Sequence, residues 1–277
     1  MLEFEILARG RCRPQDLHIS YQPDQFLRFP SELQEWMERF WQEKLRRAQQ
    51  QNSLLFDSPL YRLISVQQDS EQTLHLTLGQ TSYREYVVTR SQEFAAGRAR
   101  AELGNPLSVC SVVETADGHI LLDKRQGVDL YVGRYHVIGG FFERDIDIDA
   151  TTQQPDPFAA MRREIREETG IGADDISEQL CLGLVYDVVT PHPELCFLTR
   201  LHISLEEVRQ RKPEDSEIKT LHTCPGDAAS LAQFILQHHG NISATGEPNL
   251  LLYGQMCYGD DWLNAITSSI SNLPSRK

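Results

Sequence analysis

The stretch GGFFERDIDIDATTQQPDPFAAMRREIREETG, residues 139–170, decides how this chain is interpreted. Its second half predicts a helix whose two ends are marked by local signals. Asp156 is a favoured N-cap residue, and Pro157 stands at the first helical position, where proline is tolerated. Gly170 is a favoured residue just beyond a helix C-terminus. We therefore expect a helix over residues 157–169.

This helix is expected to present two different faces. Its apolar residues recur at spacings of three and four, which predicts a side that faces the core: Phe158, Met161 and Ile165. Glu164, Glu167 and Glu168 follow the same spacing, so their carboxylates share another side. Like charges on one side repel, and a solvated acidic face is one interpretation. The other is a site for a hard divalent cation, which prefers carboxylate oxygens.

The residues around the acidic face favour the second interpretation. Arg163 directly precedes Glu164 and is suited to orient a carboxylate by a bidentate contact. The pair Gly139–Gly140 ends a predicted strand, at a point where the backbone must approach another group closely. Glu143 follows three residues after Gly140. Together these residues predict a site that binds a metal ion and a phosphate.

The pattern resembles a known family. REIREETGI, residues 163–171, matches position for position the second half of the motif G-x5-E-x7-R-E-U-x-E-E-x-G-U of Nudix hydrolases, where U is a bulky aliphatic residue. GGFFE, residues 139–143, resembles the opening of that motif. The resemblance covers roughly residues 107–220. It implies an α/β fold, in which an α/β/α sandwich surrounds a mixed β-sheet.

The same resemblance implies a chemistry. The carbonyl of Gly140 and the carboxylates of Glu164, Glu167 and Glu168 would hold Mg²⁺, or Mn²⁺, against a diphosphate. The metal would activate a water that attacks phosphorus, and a carboxylate would act as the general base. The candidates for this base are Glu217, Glu194 or one of the glutamates of the motif. A surface role is the alternative for Glu217 and Glu194.

The motif is interrupted in this chain. Gly140 and Arg163 lie 23 positions apart where the motif has 14, so nine residues are extra. Pro155 replaces the glutamate that the motif has eight positions before the arginine. Three inserted aspartates alternate with isoleucine, and they are interpreted as part of a solvated loop or short edge strand rather than as metal ligands: Asp145, Asp147 and Asp149.

The chain divides into two predicted domains, a smaller α+β domain over residues 1–105 and the Nudix-like domain over residues 106–277. In the first, LEFEIL predicts a strand, residues 31–50 predict an amphipathic helix opened by a capping box of Ser31 and Gln34, and two β-rich runs predict a hairpin. In the second, Asp117–Gly118 predicts a hairpin turn. Three further helices are expected near residues 227–239, 247–256 and 260–271.

Two segments of the first domain carry a looser resemblance. LLFDSPLYRLIS, residues 54–65, and LGQTSYREYVVT, residues 78–89, resemble segments of animal Nudix proteins that hydrolyse UDP-glucose and UDP-galactose. This implies a UDP-sugar substrate that is cleaved to UMP and sugar 1-phosphate. Tyr83, Arg84 and Glu143 are the candidate substrate contacts. For Tyr83 and Arg84, packing and salt bridging at the domain junction is the other interpretation.

Composition limits the possible partners. The 277 residues carry 40 acidic and 27 basic side chains, a net charge of −13, which disfavours nucleic acid as a partner. Neither a signal peptide nor a membrane span is expected, and the six cysteines show no CxxC pair, so a cytoplasmic protein with reduced thiols is expected. It is expected to be a monomer or a homodimer.

Three functions remain open at this point. The first is a Mg²⁺-dependent pyrophosphatase of nucleoside diphosphate sugars. The second is a hydrolase of the same fold that acts on ADP-ribose, other ADP-sugars or nucleoside triphosphates. The third is a ligand-sensing module without turnover, against which the intact cluster of mutually repelling carboxylates argues.

Overall fold

The computed structural model describes residues 2–50, 55–126, 130–214 and 220–273. Within these ranges the strands are β1 (Phe4–Cys12), β2 (Leu17–Tyr21), β3 (Pro59–Ser70), β4 (Thr73–Ser82), β5 (Ser108–Glu114), β6 (His119–Lys124), β7 (Tyr135–His136), β8 (Ile138–Phe141), β9 (Ile176–Asp187), β10 (His192–Leu201) and β11 (His222–Pro225). The helices are α1 (Ser31–Gln50), α2 (Tyr83–Thr89), α3 (Gln92–Ala95), α4 (Pro157–Thr169), α5 (Leu205–Arg209), α6 (Ala228–His238), α7 (Gly246–Tyr258) and α8 (Asp260–Ser271). The expected helices and hairpins are confirmed, whereas β2, β11 and the short helices α2 and α5 were not predicted.

The larger sheet is mixed. Its strands lie in the order β1-β9-β10-β5-β6-β11, with β8 paired to β5 and β7 paired to β6. Strands β10 and β5 are parallel, and the other pairs are antiparallel. The register sets Gly140 of β8 opposite Val109 of β5. The same pairing sets Gly139 opposite Cys110, so both glycines lie alongside β5.

Helices cover both faces of this sheet, as the fold class requires. Helix α4 packs on β5 and β8, and its apolar side joins a core that includes Val109 and Phe197. Helix α7 packs against β5, β9 and β10 on the other side, in a second core that includes Leu250 and Tyr253. The α/β/α sandwich around a mixed sheet is thereby confirmed.

The N-terminal part contributes to both sheets. Strands β2, β4 and β3 form a separate three-stranded sheet, next to which Met37 and Trp41 of α1 pack against α2. Strand β1, however, pairs with β9 of the larger sheet. The domain boundary near Asn105 remains a prediction. Strand β1 lies before this boundary and forms an edge of the larger sheet, most of which lies after it.

The start of α1 differs from the expected capping box. Ser31 is already the first helical residue, and the backbone N–H of Gln34 donates to the carbonyl of Pro30. The side-chain amide of Gln34 donates to the carbonyl of Phe29 at 2.8 Å. The proline at position 30 therefore takes the position before the helix that was expected for the serine.

All six cysteines are free thiols, and five of them are buried. Among the described residues, no helix has the length and apolar character needed to cross a membrane.

Candidate active site

Helix α4 begins and ends at the predicted residues. The side chain of Asp156 accepts hydrogen bonds from the backbone N–H groups of Phe158 and Ala159 at 2.9 and 3.0 Å. Gly170 follows the helix with a φ of 75°, the left-handed conformation that favours glycine. The rotation of the helix is set by its apolar side, since Phe158, Met161 and Ile165 pack into the core, and the glutamates lie on another side.

Arg163 is the centre of the acidic face. Its Nη1 donates to Glu164 Oε1 and to Glu167 Oε2, both at 2.9 Å. Its Nη2 donates to the carbonyl of Phe141 in β8 at 3.0 Å. Burial alone would lower the pKa of this guanidinium, but the hydrogen bonds to Asp147 and the nearby carboxylates raise it above its usual value. One arginine thus ties the glutamates of α4 to the strand that carries the two glycines.

Gly140 lies directly against the carboxylate of Glu164. A Cβ built at Gly140 would be 2.4 Å from Glu164 Oε1 and 2.6 Å from Oε2, well inside van der Waals contact. Glu164 is only 8% exposed. The glycine is therefore needed to leave room for a nearly buried carboxylate beside the β8 backbone.

The donor atoms of this face suit a hard divalent cation. Glu164 and Glu168 are buried acids, and carboxylate and carbonyl oxygens are the ligands that Mg²⁺ and Mn²⁺ prefer. Among the described residues, no group of three His, Cys, Asp or Glu side chains is arranged to hold a metal ion. Mg²⁺ commonly binds through one or two carboxylates together with waters and substrate phosphates, so the residues present fit such an ion without a closed protein cage.

A small cavity adjoins Gly140. Its volume is about 70 Å³, and its lining combines the two glycines with buried polar side chains. Glu194 is 3% exposed, and burial raises the pKa of its carboxyl group. His136 Nε2 lies 4.0 Å from Glu194 Oε1, and burial lowers the pKa of this imidazole well below its usual value. The cavity therefore places a carboxyl group and a neutral imidazole near Gly139 and Gly140.

Other residues of this cavity were not found from the sequence. His192 lines it, and its Nδ1 is hydrogen-bonded to the hydroxyl group of Tyr86 at 3.1 Å. Tyr131 also lines it and donates to Asp187 Oδ2 at 2.6 Å. Neither the histidines nor this tyrosine show a spacing that predicts ligand binding. They come together only through strand pairing and loop packing.

The inserted aspartates behave in three different ways. Asp145 is exposed, as expected. Asp149 accepts hydrogen bonds from the N–H groups of Thr151 and Thr152 and so stabilises its own turn. Asp147 is 1% exposed and forms a salt bridge with Arg163, so the expectation that it is solvated is wrong. Its burial follows from the turn at residues 144–146, which breaks the strand-like alternation.

Of the three predicted substrate contacts, Tyr83 and Glu143 lie near β8, whereas Arg84 is paired with α1. The ring of Tyr83 packs edge to face on Phe141, with centroids 5.6 Å apart. Arg84 forms an ion pair with Glu38 of α1 at 2.8 Å. Glu143 is half-buried, and burial raises the pKa of its carboxyl group. Their role in substrate binding remains a prediction.

Glu217, the first candidate for the general base, lies outside the described residues. Glu194, its competitor, lines the cavity next to Gly140. Gly140 contacts the carboxylate of Glu164 in α4 and also lines the cavity that Glu194 lines.

A comparison with protein-family models identifies the family of this chain. The model of the NUDIX domain matches residues 104–244, just over half of the chain. The matched range contains both ends of the interrupted motif and all but one of the residues that line the cavity. The chain belongs to the Nudix family of hydrolases. A search of curated proteins found no match.

Solved structures with similar folds include several Nudix proteins. The NUDIX domain of Shewanella oneidensis NrtR, complexed with ADP ribose, is 18% identical, and the match covers 60% of this chain and 97% of that one, with a TM-score of 0.40. A bifunctional NMN adenylyltransferase/ADP ribose pyrophosphatase from Francisella tularensis is 17% identical over 62% of this chain, also with a TM-score of 0.40. The chain spans 46% of the length of that Francisella protein. The MutT protein of Methanosarcina mazei is 17% identical over 55% of this chain and 94% of its own, with a TM-score of 0.35.

Proposed function

We propose that this Nudix hydrolase is a Mg²⁺-dependent pyrophosphatase of nucleoside diphosphate sugars, with UDP-glucose or UDP-galactose cleaved to UMP and sugar 1-phosphate. The observation that carries the proposal is the arrangement of Arg163, Glu164 and Glu167 beside Gly140. It combines hard oxygen donors, a guanidinium that fixes them and a strand backbone in contact with them. Such a constellation suits a diphosphate held by a divalent cation.

The choice of a nucleotide sugar draws on the N-terminal segments. The segment around residues 55–65 forms the start of β3, where the Tyr61 N–H donates to the carbonyl of Phe142 at 3.1 Å. The segment over residues 78–89 leads into α2, whose Tyr83 and Tyr86 both pack on Phe141. Both segments that resemble UDP-sugar hydrolases therefore contact the strand of the candidate site. In this proposal residues 1–105 contribute to substrate recognition.

The residues of α4 supply the phosphate chemistry. A divalent cation bound by the Gly140 carbonyl and by Glu164, Glu167 and Glu168 would neutralise phosphate charge and lower the pKa of a bound water. Arg163 holds two of these carboxylates in place, which preserves their geometry when the substrate enters. Because the site is largely buried, its electrostatic interactions are stronger than they would be in water.

A carboxylate must accept the proton of the attacking water. Glu194 is one candidate, because it lines the cavity beside Gly140 and burial raises the pKa of its carboxyl group. The glutamates of α4 and Glu217 are the other candidates. Tyr83, Arg84 and Glu143 are proposed as substrate contacts.

The test is a panel of substrates assayed with Mg²⁺ and Mn²⁺. UDP-glucose, UDP-galactose, ADP-ribose and nucleoside triphosphates are offered to wild type and to Glu168→Gln, with detection of the phosphate products. We expect the fastest turnover with a UDP-hexose and a loss of about 100-fold or more in Glu168→Gln, because one charged ligand is removed. Circular dichroism checks that the variant is folded.

Each outcome decides between the functions. Faster turnover of ADP-ribose than of UDP-glucose would replace the proposed substrate and leave the hydrolase in place. Binding of a nucleotide sugar without cleavage under either metal would favour the ligand-sensing module. Full activity of Glu168→Gln would show that Glu168 is not a required ligand of the divalent cation.

A further inference from the structure

The inserted segment of this chain supplies a carboxylate that pairs with Arg163. Pro155 stands where the motif has a glutamate, and a proline side chain cannot accept a hydrogen bond. Asp147, from the inserted segment, provides a carboxylate in contact with Arg163. Its Oδ1 accepts from Arg163 Nε and its Oδ2 from Arg163 Nη2, both at 2.8 Å. This is a bidentate contact of the kind that fixes a guanidinium most firmly.

We propose that Asp147 is a positioning residue, which orients Arg163 and, through it, the carboxylates of Glu164 and Glu167. The inference rests on the proposed function, since it concerns the same site. Nη1 of the arginine contacts the two glutamates, while Nε and Nη2 are held by Asp147. Asp147 therefore fixes the plane of the guanidinium, and this plane sets the direction in which Nη1 points towards the two glutamates.

The salt bridge is protected from solvent. The side chains of Asp147 and Arg163 are 2% and 13% exposed. Ion pairs on the surface contribute little, but removal of one partner of a buried pair leaves an uncompensated charge. Without Asp147 the guanidinium would lose two of its five hydrogen bonds and would be free to turn away from the glutamates.

The stem of the insertion holds Asp147 from both sides. Its Oδ2 also accepts from the backbone N–H of Glu143 at 2.8 Å, and its own N–H donates to the carbonyl of Glu143 at 3.1 Å. Its carbonyl accepts from the N–H of Asp156, the N-cap of α4, at 3.0 Å. Asp147 is thus hydrogen-bonded both to Glu143, which lies just after β8, and to Asp156, the N-cap of α4.

The N-terminal sheet adds a third support. The backbone N–H of Arg144 donates to the carbonyl of Pro59, and its Nε donates to the carbonyl of Leu60 at 3.1 Å. Both acceptors lie at the start of β3. Arg144 is therefore hydrogen-bonded to the three-stranded sheet. Because Arg144 lies three residues before Asp147, these bonds help to fix the position of the aspartate.

The test compares Asp147→Asn with Asp145→Asn, an exposed aspartate two residues away as the matched control. We measure kcat and KM for UDP-glucose, Mn²⁺ affinity by electron paramagnetic resonance without substrate, and Tm in EDTA. Asp147→Asn is expected to lower kcat and Mn²⁺ affinity by about 10- to 100-fold, the usual effect of removing a residue that orients metal ligands. Asp145→Asn is expected to stay within about twofold of wild type, as for a surface change.

Asp147→Glu gives the conservative rescue, because it keeps the bidentate carboxylate. We expect it to recover a large part of the Mn²⁺ affinity that the asparagine variant loses. A purely structural role would lower Tm in Asp147→Asn while kcat and Mn²⁺ affinity of the folded protein stayed at the wild-type values, and this result would overturn the proposal.

The two levels of inference fail in different ways. If the wild-type protein cleaves no nucleotide sugar, the proposed function fails, and the Mn²⁺ measurement still decides whether Asp147 orients the carboxylates. If wild type is active and Asp147→Asn equals it in both readouts, only the role of Asp147 is wrong.

Discussion

The contact between Gly140 and Glu164 leads to a sharp prediction for Gly140→Ala. The new methyl group would lie 2.4 Å from Glu164 Oε1, whereas ordinary contact begins at 3.4 Å. The carboxylate must therefore move by about 1 Å, because the β8 backbone is fixed by its pairing with β5.

The size of the effect follows from that displacement. A misplacement of about 1 Å in a catalytic group can lower activity by roughly 100-fold. The free energy of unfolding should fall by about 1–3 kcal/mol, which leaves the protein folded, since the atoms that give way belong to a side chain. We therefore expect kcat for UDP-glucose to fall by about two orders of magnitude while the protein remains folded.

Two other glycines provide controls. A methyl group at Gly139 would meet the backbone of Val109 at 2.4 Å, so Gly139→Ala should lower Tm strongly. A methyl group at Gly172 would lie 3.7 Å from Asp175 Oδ2, an ordinary contact, so Gly172→Ala should be neutral in both assays. The measurements are initial rates and thermal unfolding for all three variants. Full activity in Gly140→Ala would refute the requirement for Glu164 at this position.

Two further predictions concern charge. Arg163→Lys should lower kcat by about 100-fold, because a lysine cannot reproduce the planar guanidinium that holds several carboxylates. Arg166→Lys, on the exposed side of α4, should leave kcat unchanged. Equal kcat values for the two variants would contradict the role of Arg163. Burial raises the folded pKa of Glu194 above its ordinary value of 4.5, so the free energy of unfolding falls as pH rises through the folded pKa. Glu194→Gln should therefore raise Tm at pH 7.5, by about 2–4 °C for each kcal/mol of desolvation removed, and the gain should shrink towards pH 4.5. A gain that is independent of pH would exclude the titration of this carboxyl group as its cause.

The helix that carries the site could be predicted because its signals are local. Asp156, Pro157 and Gly170 mark its ends within the sequence itself, and the spacing of the glutamates then gives their shared side. The extra residues do not disturb this prediction, since the helix start does not depend on the length of the preceding loop.

The partner of Arg163 could not be predicted in the same way. The alternation of aspartate and isoleucine suggested a solvated loop or edge strand, but residues 144–146 form a turn that directs Asp147 inward. The turn depends on hydrogen bonds to Pro59 and Leu60, which are more than 80 residues away in the sequence. Periodicity within a short segment contains no information about such contacts.

The cavity is another product of long-range pairing. Glu194 reaches it because β10 is parallel to β5 in a register that sets Glu194 opposite Ser108. His136 comes from β7 and is fixed by Ser243, whose hydroxyl lies 2.6 Å from its Nδ1. These residues are scattered over more than 100 positions, so only the sheet topology reveals that they share a site.

The most direct test of the account is ³¹P NMR of the products formed from UDP-glucose in water labelled with ¹⁸O. The central claim is that the interrupted motif directs water to phosphorus of a diphosphate. We predict UMP and glucose 1-phosphate, with ¹⁸O on one of the two phosphates and an intact bond between the sugar and its oxygen. Recovery of ¹⁸O in free glucose with UDP as the other product, or the absence of any cleavage with Mg²⁺ or Mn²⁺, would contradict the claim.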